Sequence, residues 1–591
     1  MKNSSRYAML SLLIITALSG CSSHSDKKPP LSDENFELEI LHVNDLHSYT
    51  DPVSIGINTP KGMIKVDVGG AEALKSVVEE RKRQNPDLIV ISAGDQITGN
   101  ALNYDTFHGE SDSVLHGLLH TDYYMLGNHE FDHGGNGIET FMNFMKHYSP
   151  QSLMINSDMT AAPDSKVTDR GLSSHIRKVS GKNVAFYAVT NESKIVRSSS
   201  PEEGMSFKKT VPTINELTSE NADRADIHIL ITHQGITSDK TNASLLNDVD
   251  IIIGGDSHTL CGNFSDKGIS VDCPYPITAT NASGHKICIV QAYEYGKVIG
   301  DLKVTFDGHG NVLQCGGTPV MPLWTDTAEP HKNSTLSKEE AVEEAGRLPN
   351  LPESPYISAS KNNEATATLK SYRDVLETRK KVIGRSPRDF CNTRYPYAYC
   401  NIKGKSNPYG SETCQTLGKV ILENTGADIY LVNSGMYRTD ISKGDFTEED
   451  LLNVTPFGND VVEITMSGKD IYEVLNDTME FVNEDLQSRS GGVPCGYGFS
   501  YSLRGKGKNP VSDISILTRE GREESLEMNR NYRVLVTTYI LKGKDGYSLL
   551  KGKKPLKNIG SDADIIRSYL RDHALPDIPE NIRTIRSFSA E

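Results

Sequence analysis

Five short clusters in the first half of the chain carry side chains able to hold metal ions. They are Asp45-Leu46-His47, Gly94-Asp95, Gly127-Asn128-His129-Glu130, Thr232-His233 and Asp256-Ser257-His258, each after an apolar run. Asp45 and His47 stand two residues apart, which lets both reach one ion where the backbone turns. Asp95 has two oxygens and can bridge two cations. Asn128 adds a neutral amide oxygen, and His233 and His258 add imidazole nitrogens. Mixed nitrogen and oxygen donors suit zinc, manganese, cobalt or iron better than an all-oxygen cage would. Two ions about 3.5–4 Å apart lower the pKa of a water to about 7 and clamp a phosphate for in-line attack. His129, beside Asn128, is expected to face that phosphate rather than an ion, with Asp132 three residues on to fix its tautomer. Its role is then to stabilise charge on the transferring group or to protonate the leaving oxygen.

Taken singly, each cluster has a plainer explanation. A lone His at a strand end is more often a surface or capping residue, and an Asp after a strand is often a helix N-cap. Five in one order, with Gly127-Asn128-His129-Glu130-Phe131-Asp132 among them, are what argue for a shared centre.

The elements that position them read as an alternating α/β pattern. Residues 36–43 are strand-like. Residues 87–92 (DLIVIS), 226–232 (DIHILIT) and 249–253 (VDIII) are continuous apolar runs, the mark of strands buried on both faces. Sites in such folds lie where the strands end. Helical periodicity over 68–83 places Ala71, Leu74, Val77 and Val78 on one side. Composition shifts after Trp324, and residues 326–380 read as a helical connector, with a capping box at Ser337-Lys338-Glu339-Glu340 and a helix over 364–380. From about 381 the chain returns to mixed strands and helices.

The 591 residues exceed one hydrophobic core, so two large domains are expected. A net charge of −16 argues against a nucleic-acid partner. Lys2, Arg6 and the apolar run from Ala8 to Leu18 form an export signal too short to span a bilayer. It ends in Leu18-Ser19-Gly20-Cys21, which resembles a bacterial lipobox; that resemblance implies cleavage before Cys21 and lipid on it, and Ser22 favours the outer membrane. The chain is thus expected to face the periplasm or the cell surface, touching membrane only through that anchor. Residues 21–35 are polar and tether-like, and no later segment has the length and apolarity of a span. Eight further cysteines suit disulfides in an exported protein. Cys261–Cys273 and Cys391–Cys400 are the favoured pairs because each closes a short polar stretch.

Together these motifs resemble the calcineurin-like metallophosphatase superfamily. Residues 36–590 resemble the two-domain bacterial and animal 5′-nucleotidase family, which includes UDP-sugar hydrolases. The resemblance implies an N-terminal metallophosphatase β-sandwich flanked by helices over 36–325 and a C-terminal α/β nucleotide-binding domain over 381–591. It implies two divalent ions (zinc, manganese, cobalt or magnesium), one held by Asp45, His47, Asp95 and His258, the other by Asp95, Asn128, His233 and Asp256. Asp256 departs from the usual His of the family, adding a negative charge and a harder donor.

The resemblance also fills a pocket in the second half. Asn433-Ser434-Gly435-Met436-Tyr437-Arg438 matches a stretch whose Arg, here Arg438, contacts phosphate, with Asn433 near base or ribose. Phe457 and Tyr539 match two aromatics that stack on a base, and Asp545 matches a carboxylate that grips ribose hydroxyls. Without the flanking motifs, Phe457 and Tyr539 would read as core aromatics. An Arg that many relatives carry before Leu417-Gly418 is missing, with Arg385 or Arg388 as replacements. The Asp256-Ser257-His258 form, the Lys544-Asp545-Gly546-Tyr547 ending and the stretch Ser406-Asn407-Pro408-x-Gly410-Ser411 resemble periplasmic nucleotidases that also split NAD. The expected function is therefore hydrolysis of nucleoside 5′-monophosphates, with a pyrophosphate such as NAD or a UDP-sugar as a further substrate, by a monomer whose connector acts as hinge. A nucleotide receptor with a weakened centre, Asp256 being the lesion, is the alternative; a phosphatase acting on proteins or cyclic nucleotides fits the nucleotide pocket poorly.

Overall fold

A computed structural model describes residues 34–589 apart from 332, 333, 401, 404, 424, 485, 506 and 580–582. The export signal, Cys21 and nearly all of the tether lie outside the described residues.

Two six-stranded sheets face each other in the N-terminal half. In one, Phe36–Val43 runs parallel to Ile89–Ser92, which runs parallel to Tyr123–Tyr124. In the other, Ile227–His233 is parallel to Ile251–Gly254 and to Lys182–Thr190. Leu38, Ile40, Ile89 and Ile91 of the first sheet share a buried core with Phe186, Ile229, Ile231 and Ile251 of the second. The apolar runs are buried on both sides because helices cover the outer faces. The helix Ala71–Gln84, for example, buries Ala71, Leu74, Val77 and Val78 and ends in Arg81, Lys82 and Arg83, which suits its C-terminal dipole. Parallel pairing brings the ends of these strands, and the clusters that follow them, to one edge of the sandwich.

The stretch 326–380 holds strand as well as helix. Met321–Pro330 pairs with Gly62–Val68 and with Tyr356–Ser358, because Met321, Leu323, Ala328 and Tyr356 share a core with Ile57, Ile64 and Val66. The helix Lys338–Arg347 opens on the capping box of Ser337 and Glu340. The helix Asn363–Arg379 is fixed to the N-terminal half by Arg373, whose guanidinium bonds Glu72 at 2.5 and 2.9 Å and Asp51 at 2.6 Å.

The C-terminal half is a five-stranded sheet and a four-stranded sheet with helices packed on them. Ile429–Asn433 and Asn531–Thr537 are parallel neighbours in the larger sheet. All eight cysteines of the described residues are paired, as Cys261–Cys273, Cys288–Cys315, Cys391–Cys400 and Cys414–Cys495. Among the described residues no helix is long and apolar enough to cross a membrane.

The two halves touch. Leu452 packs with Ala101, Leu102 and Leu376. Lys544 reaches across to the carbonyls of Val196 and Ser199 at the end of the helix Glu192–Ser198.

Candidate metal centre and the facing pocket

The chain turns sharply at each strand end. Asp45, His47, Asp95, Asp256 and His258 all have positive φ, between 49° and 82°, a costly conformation for residues with a Cβ and one that clusters at functional sites. The first two loops are laced together, Asp45 N donating to the Gly94 carbonyl and His47 N to the Asp95 carbonyl, each at 3.0 Å. Gly127 is required beside them, since a Cβ there would stand 2.2 Å from Asp95 Oδ1.

These turns bring five of the expected ligands to a common point. Asp45 Oδ1 lies 3.0 Å from His258 Nε2, 3.8 Å from His47 Nε2 and 3.9 Å from His233 Nε2. Asp95 Oδ2 lies between His233 Nε2, at 3.0 Å, and His47 Nε2, at 3.8 Å. Asp45, His47 and His258 form one potential ion-holding group and Asp45, Asp95 and His233 another, so these two share Asp45 where Asp95 was the expected bridge; His47, Asp95 and His129 form a third, which brings His129 as close to the donors as the expected ligands. Asn128 Oδ1 is buried without a hydrogen-bond partner, and Asp45 Oδ1 and His233 Nε2 are buried with no well-directed hydrogen bond beyond the close contacts just given. Buried polar atoms are rarely left so, and orphaned donor atoms of this mixed type fit divalent cations. Asp256 stands at the rim, its Oδ1 3.7 Å from His233 Nε2 and paired with the Lys194 ammonium.

The charges agree with this arrangement. Burial alone would push the His233 pKa down, but Asp95 and Asp45 outweigh it and hold the ring up to about 10. His258 is half-buried, and desolvation opposes its charged form, yet Asp45 and Glu294 hold it up to about 9. His47 is pushed down to about 4 by burial, against the opposing pull of Asp95. Crowded carboxylates thus wait for positive charge. At the front, His129 Nδ1 lies 2.6 Å from Asp132 Oδ2; burial disfavours its charged form, but Asp132 and Asp95 raise its pKa overall.

Residues outside the expected set hold the ligands in place. Glu294 Oε2 is 2.5 Å from His258 Nδ1, and Lys297 bonds the other Glu294 oxygen at 2.7 Å. The Ala93 carbonyl is 2.7 Å from His233 Nδ1, which aims Nε2 at the centre. Glu130 accepts the backbone amides of Gly127, Gln96, Asp95 and Ile97 at 2.6, 2.8, 3.1 and 3.2 Å, tying the loop of Asn128 to that of Asp95. Its place inside the Asn128-His129-Glu130 cluster was a signal; Glu294 and Lys194 carried none.

The C-terminal pocket faces this centre. Asn433 Nδ2 donates to Asp545 Oδ2 at 3.0 Å, and the Tyr539 hydroxyl is near enough to Asp545 for each to shift the other's pKa. The Arg438 guanidinium lies over Phe457, 5.4 Å from its centroid. Arg438 is open to solvent on the cleft side, but desolvation by the surrounding protein and then the neighbouring Arg394 push it down to about 10, while Tyr295 and Asp132 of the N-terminal half oppose that shift. Arg438 is therefore within electrostatic reach of the His129–Asp132 pair. Arg385 and Arg388, the expected replacements for the missing Arg, point elsewhere: Arg385 pairs with Asp445 and is largely exposed, and Arg388 pairs with Asp577 and Glu412. Arg394 is the arginine whose charge acts on both Arg438 and Asp545. Nothing in its sequence surroundings set it apart from other surface arginines. Tyr295 forms part of the opposite wall, stacked on Tyr49 at 4.3 Å and edge-on to His47.

A sandwich with clustered metal donors at one edge, facing a second α/β domain, defines a two-domain metallophosphatase. The model of the calcineurin-like phosphoesterase family matches residues 38–260, and that of the 5′-nucleotidase C-terminal domain matches residues 384–552. The chain belongs to the 5′-nucleotidase family of hydrolases. It is 29% identical over 565 residues to a Treponema pallidum protein named "Probable 5′-nucleotidase", covering 91% of this chain and 90% of that one. It is also 29% identical over 544 residues to the NAD 5′-nucleotidase of Haemophilus influenzae, covering 88% and 87%. The crystal structure of a 5′-nucleotidase precursor from Thermus thermophilus shares the fold, with a TM-score of 0.74 at 24% identity, over 94% of this chain and all of that one.

Proposed function

We propose that this protein releases phosphate from nucleoside 5′-monophosphates and that the same centre cleaves the pyrophosphate of a dinucleotide or nucleotide sugar such as NAD or a UDP-sugar. The observation that carries this reading is the convergence of buried, poorly satisfied donor atoms of Asp45, Asn128 and His233 opposite an arginine–carboxylate pocket. Asp45, His47, Asp95 and His258 would hold one divalent ion, and Asp95, Asn128, His233 and Asp256 the other. Such ions acidify the attacking water and neutralise the phosphate. The protein's own groups do the rest. Arg438 and Arg394 hold phosphate oxygens, for which a guanidinium fork is suited. Asp545 grips the ribose hydroxyls, with Asn433 beside it, and Phe457 and Tyr539 stack on the base. His129, oriented by Asp132, stabilises the transferring group or gives a proton to the leaving oxygen. Since both reactions are attack of water on phosphorus, the choice between them rests on how far the substrate extends beyond Arg438.

The reading extends to the chain as a whole. We assign residues 36–325 to the metal domain and 381–591 to the nucleotide domain, with hinge motion at residues 380–381, just past the helix that Arg373 fixes to the N-terminal half. Four disulfides fit an oxidising compartment, in keeping with export, lipid attachment at Cys21 and a monomer facing the periplasm or the cell surface.

The test is an assay of purified protein on AMP, UMP, NAD and UDP-glucose with manganese, cobalt, zinc or magnesium, with and without a chelator. Chelator-sensitive phosphate release from AMP or UMP is expected. Nucleotide binding with no turnover under any ion would overturn the enzymatic reading in favour of a receptor.

A further inference from the structure

Among the described residues, Lys194 is the one ammonium paired with an expected ligand of the two ions. It sits in the helix Glu192–Ser198, and its backbone amide is fixed by the Asn191 cap at 3.2 Å. Just past the helix, Ser199 Oγ donates to the Asn128 carbonyl at 2.8 Å. The helix is thus fastened beside the Asn128 loop, and the Lys194 side chain reaches from it to Asp256 Oδ1. That oxygen is 3.7 Å from His233 Nε2, so the ammonium lies on the face of the second ion position. Asp95 and Asp45 also act on it electrostatically. Asp256 adds a negative charge to this position, and Lys194 supplies the positive charge that balances it.

We propose that Lys194 is a resident cation of the second ion position: it neutralises Asp256 until a divalent ion arrives and must yield that carboxylate for the ion to bind. This rests on the reading that the centre takes two ions. A divalent ion and an ammonium compete for one carboxylate and repel each other at short range. Lys194 therefore weakens the second ion relative to the first and makes loading sequential, so that occupancy of the second position, and with it the working centre, depends on ion concentration.

Calorimetric titration of manganese into chelator-stripped full-length protein tests this. Wild type should bind one ion tightly and a second more weakly. Lys194→Met should tighten the second ion by about tenfold or more, equivalent to about 1.4 kcal/mol, and change the first much less. Lys194→Arg, which keeps the charge, should leave the second ion weak. A second ion that is no tighter in Lys194→Met overturns the proposal while leaving the two-ion reading intact. Fewer than two ions in both proteins overturns the two together. A measurement on wild type guards against a variant that fails to fold: reductive methylation of Lys194, followed by mass spectrometry, should rise once the second equivalent of manganese is bound. Unchanged labelling would again refute displacement.

Discussion

Glu294 sets the ring of His258: its Oε2 stands 2.5 Å from His258 Nδ1, leaving Nε2 turned to Asp45 Oδ1 at 3.0 Å. Carboxylates behind metal-ligating histidines fix tautomer and orientation, and losing one typically costs about 10–100-fold in metal affinity or activity. Glu294→Gln should therefore lower ion affinity by about that factor with little change in fold. Calorimetry with manganese and circular dichroism, measured together, check it; unchanged affinity would remove Glu294 from the support of the site.

Glu130 is predicted to matter for stability as well as for the site. Its carboxylate accepts four backbone amides, and Glu130→Gln turns an NH2 group toward some of those donors. Leaving buried amides unpaired costs about 1–3 kcal/mol per group. Chemical denaturation of the stripped protein should show a loss of about 2–4 kcal/mol, alongside weaker ion binding. A substitution with neither effect would show that the loops hold without it.

Arg394 should affect substrate binding rather than folding. It is proposed to hold a phosphate oxygen, and its charge acts on Asp545 and Arg438. Arg394→Ala is expected to raise the KM for AMP by about tenfold, the scale of one charged hydrogen bond of about 1.5–3 kcal/mol, while Arg385→Ala leaves it unchanged. Equal effects from the two would refute the assignment.

Stability of the stripped protein should depend on pH through His233 and His258. Their folded pKa values of about 10 and 9 lie above the ordinary value of 6.5. A group with a raised folded pKa stabilises fully below its unfolded pKa and loses that contribution as pH rises through the folded one. Chelated protein should therefore lose Tm between about pH 7 and 10. Ion-loaded protein, whose histidines are already deprotonated by coordination, should lose less. Parallel thermal melts at pH 7 and 9.5 decide it, and equal losses would count against shared protons at the centre.

Lys544 should hold the two halves together. Its ammonium caps the carbonyls of Val196 and Ser199 across the interface. Lys544→Met is expected to populate a more open arrangement, seen as a larger radius of gyration in small-angle scattering of the substrate-free protein. Identical profiles would show that the apolar contact of Leu452 with Leu102 and Leu376 suffices.

Much of the centre was legible along the chain because its ligands directly follow strands. Each apolar run ends a residue or two before its cluster, so Asp45, His47, Asp95, His233 and His258 could be named without coordinates. The two short disulfide loops were legible for the same local reason, while Cys288–Cys315 and Cys414–Cys495, separated by 27 and 81 residues, were not. The strands within 326–380 escaped notice because Tyr356–Ser358 is a strand only through its partner Met321–Pro330.

What the sequence alone determined is the kind of donor atom and the strand that delivers it, since both follow from residue type and local periodicity. Folding decided which charged and polar groups meet. Glu294 reaches His258 over 36 residues, Lys194 reaches Asp256 over 62, and Asp545 reaches Asn433 over 112. No local pattern encodes such pairs, because a charge records its partner only when packing brings the two within a few ångströms and excludes the water that would otherwise screen them.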